Sequence, residues 1–201
     1  MATILILYPK LFNCYSKFSR KIKKITSSLD KAMLVYPADP NGFIKKIFDE
    51  NPTQIAHKNL KDWTVDDFTH AVIFDDGEEF VSETIKLKAS EKPLRIIKIL
   101  ITRVINIKIE TEYQAEKSTQ SYEYIGRGSY WGNPYSMYEE GDGREEVIQK
   151  YKYDFDFEKF PKKEKSEVYK LAGKRLGCFC KPQACHGDVL ADFLNSWDDG
   201  K

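Results

Sequence analysis

The chain has 201 residues, 41% of them hydrophobic and 13% aromatic, which is enough apolar material for one large domain or two small ones and excludes wholesale disorder. Its 32 basic and 31 acidic residues nearly cancel, so no overall charge draws the protein to nucleic acid or to a membrane surface. No segment approaches the roughly 20 apolar residues of a membrane-spanning helix, and the apolar run at the N-terminus is too short for a signal peptide. We therefore expect a cytoplasmic protein with no membrane partner, whose reduced cysteines serve metal or thiol chemistry.

The first half of the chain alternates strand-like and helix-like segments. Apolar runs predict strands at residues 3–8, 32–36, 70–74 and 94–101, with a brief one at 53–56, and helical spacing predicts helices at about 18–29, 42–50 and 78–91. The last of these helices is predicted to turn its apolar residues inward: Phe80, Val81, Ile85 and Leu87. Such alternation is typical of a parallel sheet covered by helices, so the predicted fold class is α/β with a Rossmann-like first half.

Ligands of such sheets bind beyond the carboxyl ends of the strands. Asp75 and Asp76 follow one predicted strand and are candidate ligand-binding residues, because carboxylates there can hold a ribose hydroxyl or magnesium. The alternative, which the residues alone favour, is ordinary turn chemistry before a helix. No glycine-rich fingerprint follows the first strand, so an ordinary NAD-binding fold is disfavoured.

Residues 71–77 read Ala-Val-Ile-Phe-Asp-Asp-Gly, and this segment with the helix after it resembles the SLOG superfamily, particularly its YspA-like members. Asp75, Asp76 and Gly77 match the Trp-Asp-Gly turn of that family, with Asp75 in place of the Trp, while the Gly-Thr pair that follows in the family is absent. The resemblance implies a Rossmann-like fold that binds nucleotides or nucleotide-derived signals. Some members of the superfamily cleave N-glycosidic bonds.

A domain boundary is predicted near residue 110, which divides the chain into a SLOG-type domain at 1–110 and an α+β domain at 111–201. Alternation of apolar residues predicts a half-exposed strand at 105–110. In the second domain we expect helices at 144–153 and 166–172, a strand at 175–180 and a helix that begins near Cys185.

A turn-rich segment at residues 125–135 offers a second group of candidate ligand-binding residues, Arg127, Gly128, Ser129 and Asn133, and Lys181 is a further candidate ligand-binding residue. The glycines on either side of Arg127 permit close backbone approach, and its guanidinium suits a phosphate or carboxylate. Asn133 can both donate and accept, as recognition of a base or ribose requires. A purely structural loop explains the same residues equally well.

Three cysteines and a histidine lie close together at a predicted strand-to-helix turn: Cys178, Cys180, Cys185 and His186. Three sulfurs and an imidazole form a sensible tetrahedral zinc set, although the spacing is unorthodox, so zinc is a candidate cofactor and no other is assigned to this cluster. Alternatively, the helix start and Lys181 activate Cys185 as a nucleophile, with His186 as acid or base and Asp188 orienting it. In the third interpretation these side chains only pack or cap the helix.

The order of the motifs Ile-Gly-Arg-Gly-Ser, Trp-Gly-Asn-Pro-Tyr, Leu-Gly-Cys-Phe-Cys-Lys-Pro and Cys-His-Gly-Asp-Val-Leu resembles, over residues 100–197, a family known only as a domain of unknown function. That family is widespread in phage and bacterial genomes. The resemblance implies one shared site that contains Arg127, Asn133, the cysteines, His186 and Asp188, and a phage-encoded protein.

These observations favour a protein that binds a nucleotide or nucleotide-derived small molecule. Processing, if it occurs, is expected to be hydrolysis or transfer at an N-glycosidic or phosphate bond. The alternative is a zinc-stapled adaptor that binds nucleic acid or protein through the basic residues of the segment Lys17–Lys24. The small net charge of the chain counts against nucleic-acid binding, because affinity for nucleic acid depends on neutralising its phosphate groups.

Overall fold

A computed structural model of the chain describes residues 1–115, 117–137, 141–160 and 163–201. The chain forms two compact units, the first made of Met1–Ile99 with Ser196–Lys201 and the second of Leu100–Asn195. Within the described ranges, no helix is long and apolar enough to cross a membrane.

The first unit is a five-stranded parallel sheet with helices between its strands. The strands are β1 (Ala2–Leu7), β2 (Ala32–Tyr36), β3 (Ile55–Asn59), β4 (His70–Asp75) and β5 (Leu94–Lys98), and the helices are α1 (Tyr15–Thr26), α2 (Phe43–Glu50) and α3 (Val81–Ala89). The order in the sheet is β3-β2-β1-β4-β5. The predicted α/β, Rossmann-like fold is therefore confirmed. The strand order reverses between β1 and β4, the place where ligands of open parallel sheets usually bind.

Aromatic side chains fill the core of the first unit near the reversal point. Phe18 of α1 is fully buried, and its ring centroid lies 5.1 Å from that of Tyr8, 5.3 Å from that of Phe43 and 5.0 Å from that of Phe74. Phe12, from the loop after β1, stacks on Phe74 with centroids 5.2 Å apart. The ends of β1 and β4 therefore carry packed rings.

Helix α3 differs from the prediction in which apolar residues it buries. Leu87 is buried as predicted, but Val81 and Ile85 are 54% and 65% exposed. The helix begins only at Val81, after Phe80 in a left-handed conformation with φ 60°. At about 100° per residue, Leu87 lies about 200° around the helix from Ile85, so one faces the core while the other faces away. The predicted inward orientation of Val81 and Ile85 is wrong.

The last residues of the chain belong to the first unit. Asp199 pairs with Lys17 of α1, with Nζ and Oδ1 2.8 Å apart, and Asp198 pairs with Arg20 at 2.6 Å. The Lys17 side chain is only 8% exposed. The C-terminus thus supplies carboxylates to the basic face of α1.

The second unit has its own parallel sheet of three strands. Its elements are β6 (Arg103–Asn106), β7 (Tyr122–Tyr124), β8 (Arg175–Cys178), α4 (Arg144–Asp156) and α5 (His186–Ser196), with a 3-10 helix at Lys165–Leu171. The sheet order is β6-β8-β7, with β8 in the centre. Thr102 and Asn195 join the two ends of this unit, because the Thr102 N–H donates to Asn195 Oδ1 at 2.8 Å and Asn195 Nδ2 donates to the Thr102 carbonyl at 3.0 Å.

Strand β6 begins two residues before the predicted strand at 105–110 and ends four residues before its predicted end, at Asn106. The backbone N–H groups of Ile109 and Glu110 both donate to the Asn106 carbonyl at 2.9 Å, which turns the chain away from the sheet. The alternation of isoleucines continues through this turn, and Ile109 is 71% exposed. Apolar alternation alone therefore does not mark the end of the strand.

Candidate functional site

The three cysteines of the second unit meet at the carboxyl end of its central strand. Cys178 ends β8, Cys180 lies two residues later, and Cys185 immediately precedes α5. Their sulfurs all lie within 4.8 Å of one another, and those of Cys178 and Cys180 are 3.4 Å apart. The structure thus brings together three of the four predicted metal ligands. Such a cluster can hold a metal ion.

One of the three cysteine thiols is favoured over the other two to lose its proton. Hydrogen bonds from Cys178 and Cys185 hold the pKa of the Cys180 thiol well below its ordinary value. Contact with Cys178 raises the pKa of the Cys185 thiol, and contact with Cys180 raises the pKa of the Cys178 thiol, so these two remain donors. Negative charge is therefore concentrated on Cys180, the least buried sulfur of the three.

His186 is adjacent to the cluster, but its ring is not part of the group of mutually close donor atoms. Its Nε2 lies 2.9 Å from the Ile125 carbonyl, and because a carbonyl only accepts, Nε2 carries the hydrogen. Nδ1 lies 3.7 Å from the sulfur of Cys185. Burial lowers the pKa of the imidazole, so the ring is neutral at pH 7.

The turn into α5 is held by the other two predicted site residues in this region. The backbone N–H of Cys185 donates to Asp188 Oδ2 at 2.9 Å, and Lys181 Nζ lies 2.6 Å from Asp188 Oδ1. This is one half of a capping box, in which a residue in the first helical turn reaches back to the residue before the helix. Asp188 and Lys181 therefore position Cys185. Neither of them lines the cavity that opens beside the three cysteine sulfurs.

Replacing Asp188 by alanine is expected to destabilise the second unit by about 1 kcal/mol, since a helix cap and a partly exposed ion pair are both lost. Urea unfolding would measure the change. Asp192→Ala on the same helix is the matched control, because burial raises the pKa of the Asp192 carboxyl and its removal should cost nothing. Equal losses in both variants would contradict the capping role.

A cavity of about 180 Å³ opens beside the sulfur cluster. Six of the predicted site residues line it: Arg127, Asn133, Cys178, Cys180, Cys185 and His186. Apolar surface comes from Met137, Val147 and Ile148. The structure therefore gathers most of the second-unit candidates around one space.

The loop that carries Arg127 is shaped by its glycines. Gly128 has φ +83°, which an L side chain rarely adopts, and a Cβ on Gly132 would lie 2.5 Å from the Gly126 carbonyl oxygen. Arg127 is exposed, and its guanidinium has no hydrogen-bond or ion-pair partner within the described part of the chain. Gly128 and Ser129 shape this loop without lining the cavity; Ser129 Oγ is buried and unpaired among the described residues.

Asn133 connects the same loop to α4. Its Nδ2 donates to the Val147 carbonyl at 3.1 Å, and its Oδ1 accepts from the Tyr135 N–H at 3.0 Å. One N–H remains for a ligand, so the side chain lines the cavity mainly as a structural residue.

Arg144 is a cavity residue that the sequence did not reveal. It is the first residue of α4, and its Nη1 donates to the Ala184 carbonyl at 3.2 Å. Its guanidinium also helps to lower the pKa of the Cys180 thiol. An arginine at the start of a helix is unremarkable in a sequence, and only the folded chain brings it to the cysteines.

Asp75 and Asp76 belong to the first unit and engage the protein itself. Asp75 forms an ion pair with Lys98 and accepts from the Gly77 N–H at 2.8 Å. Asp76 Oδ1 accepts from the N–H groups of Glu78 at 3.0 Å and Glu79 at 2.9 Å. These are the bonds that the turn interpretation predicts.

Family models match both halves of the chain. Residues 1–105 match the family model of the minimal SLOG domain, and residues 107–196 match that of a domain of unknown function, DUF4326. Both predicted resemblances are confirmed. The chain is also 40% identical over 72 residues to an uncharacterized 12.4 kDa protein in the nrdA-td intergenic region of Enterobacteria phage T4. That match covers 35% of this chain and 65% of the phage protein. No solved structure matches.

Proposed function

Because this chain belongs to the minimal SLOG domain family, we propose that it binds a nucleotide or nucleotide-derived small molecule. The cavity of the second unit carries the proposal. There the guanidinium groups of Arg127 and Arg144 border one space, and within the described ranges the Arg127 guanidinium has no hydrogen-bond or ion-pair partner. Guanidinium groups bind phosphate oxygens in a bidentate manner, so an anionic ligand is the best match.

The size of the cavity limits which part of the ligand enters. Pockets that enclose a whole drug-sized ligand usually measure about 300–1,000 Å³. At about 180 Å³, this cavity suits one portion of a nucleotide. The two arginines favour the phosphate-bearing end.

The strand ends that the structure describes in the first unit are less suited to binding an anion than the cavity of the second unit. Asp39 accepts from the backbone N–H groups of Ile44 at 3.1 Å and Lys45 at 3.0 Å, so a carboxylate already occupies the start of α2. Asp75 and Asp76 add negative charge, and Phe12 packs over the end of β4. These contacts support the second unit as the place where phosphate binds.

Processing of the ligand, which we propose as hydrolysis or transfer at a phosphate or N-glycosidic bond, would use reactive groups that border the cavity. Those groups are Cys180, Cys185 and His186. Asp188 would act only by holding Cys185, because its carboxylate is engaged by the turn. A phage relative supports action in the cytoplasm of an infected bacterium.

The alternative function, an adaptor that binds nucleic acid or protein through the basic residues of α1, has weaker support than nucleotide binding. Of its basic residues, Lys17 and Arg20 pair with Asp199 and Asp198, and Lys23 pairs with Glu50 at 3.0 Å. Paired cations contribute less to phosphate binding than free ones. The cluster of three cysteine sulfurs is compatible with a zinc-stapled adaptor as well as with a nucleotide-binding protein.

Calorimetric titration with inorganic pyrophosphate, a nucleoside diphosphate and the parent nucleoside would test the proposal. The two anions are expected to bind, and Arg127→Ala should weaken both at least roughly tenfold, the loss of one charge-assisted contact. Arg95→Ala, an exposed arginine of β5, is the matched control and should change nothing. Binding that is indifferent to Arg127, or tighter for the nucleoside than for pyrophosphate, would overturn the phosphate site.

A further inference from the structure

The spacing of the three sulfurs fits a metal ion. A tetrahedral zinc with Zn–S bonds of about 2.3 Å sets its sulfurs about 3.8 Å apart. The sulfurs of Cys178 and Cys180 are 3.4 Å apart, and all three lie within 4.8 Å of one another. Small side-chain rotations therefore suffice to complete three corners of a tetrahedron.

Groups that surround the sulfurs also suit bound thiolates. The backbone N–H of Gly187 donates to Cys185 Sγ at 3.4 Å. Arg144 lies near Cys180 on the cavity side. Hydrogen bonds and charges of this kind commonly surround metal-bound sulfur and fix its orientation.

The fourth corner has no protein ligand within the described ranges. His, Cys, Asp and Glu side chains there supply only the three cysteine sulfurs to the group of mutually close donors. The imidazole of His186 bonds to the Ile125 carbonyl through Nε2, and its Nδ1 lies 3.7 Å from the Cys185 sulfur but is not within reach of all three sulfurs at once. All three cysteines border the cavity, so the open corner faces the space where the ligand is proposed to bind.

We propose that Cys178, Cys180 and Cys185 bind one zinc ion whose fourth position is taken by water and, on ligand binding, by an anionic oxygen of the ligand. Zinc with three thiolates carries a net charge of −1, which the guanidinium groups of Arg127 and Arg144 outweigh. The cavity then combines a Lewis acid with two cations, a set that favours a phosphate oxygen. The occupant of the fourth position rests on the proposed function; the three-sulfur site does not.

Cobalt(II) is the probe for the metal site. Metal-free protein is expected to bind about one Co²⁺ per chain, with thiolate charge-transfer bands and the intense visible bands of tetrahedral cobalt. Cys180→Ala, at the half-buried sulfur, should lose these bands while retaining the wild-type circular dichroism. Cys14→Ala, at the buried cysteine of α1's start, should keep them. Absence of thiolate bands in the wild type would overturn the site.

Azide and inorganic pyrophosphate then test the fourth position. Both should shift the visible cobalt bands of the wild type, and Arg127→Ala, which removes a cavity cation that does not contact the sulfurs, should bind cobalt normally but require about tenfold more pyrophosphate for the shift. Bands that neither anion moves would mean a closed structural site and overturn the open position. A shift with azide alone would keep the open site and contradict the phosphate ligand. Pyrophosphate binding without cobalt bands would leave the proposed function standing and the metal site refuted.

Discussion

Replacing Phe18 by alanine is expected to lower the free energy of unfolding of the first unit by about 3–5 kcal/mol. The Phe18 side chain is completely buried and contacts three other aromatic rings, those of Tyr8, Phe43 and Phe74. Removing it deletes apolar contacts and leaves a cavity that rigid neighbouring rings fill poorly. Urea unfolding followed by circular dichroism would measure the loss.

Phe18→Leu is the control for this prediction. Leucine keeps most of the buried volume, so the expected cost is about 1–2 kcal/mol. If alanine cost no more than leucine, the ring cluster would not be the stabilising centre of this unit.

Gly132→Ala is expected to destabilise the second unit by about 1–3 kcal/mol and to abolish measurable pyrophosphate binding. The new Cβ would lie 2.5 Å from the Gly126 carbonyl oxygen and 3.2 Å from the Gly128 nitrogen. Both are backbone atoms, so the loop that carries Arg127 must move. Thermal unfolding and calorimetric titration would report the two consequences separately.

Gly143→Ala provides a matched comparison at the same Cβ distance. Its new Cβ would also lie 2.5 Å from a neighbouring atom, but that atom is Oε2 of Glu146, the end of a flexible side chain. The side chain can rotate away, so we expect stability within about 0.5 kcal/mol of the wild type. Equal losses in the two variants would show that backbone crowding is not the cause.

The parallel sheet of the first unit could be predicted because buried parallel strands are nearly continuous apolar runs. The strand predicted at 32–36 is found at Ala32–Tyr36. Helix α3 could not be predicted in the same way. Its two exposed apolar residues, Val81 and Ile85, look identical in sequence to core residues, and only the start of the helix decides which face is buried.

The candidate site was predictable where neighbouring residues determine it. Cys178 and Cys180 are two apart on an extended segment, so their closeness follows from local geometry. The contact of Arg144 with the Ala184 carbonyl joins residues 40 apart and depends on the packing of α4. The pairing of Lys181 with Asp188 depends on the path of a turn that residue spacing does not define. The catalytic roles predicted for Cys185 and His186 remain predictions.

Because Ser196–Lys201 belong to the first unit, the first unit is built from two separate segments of the chain. The second unit is inserted between these segments. A fragment cut between the two family matches, after residue 105, would separate Lys17 from Asp199 and leave a nearly enclosed ammonium group without its carboxylate. A fragment of residues 100–195 would instead keep both ends clasped by the Thr102–Asn195 hydrogen bonds. We therefore expect the two units to differ when they are expressed separately. A fragment of the second unit retains the hydrogen bonds between its two ends, whereas a fragment of the first unit needs the last residues of the chain.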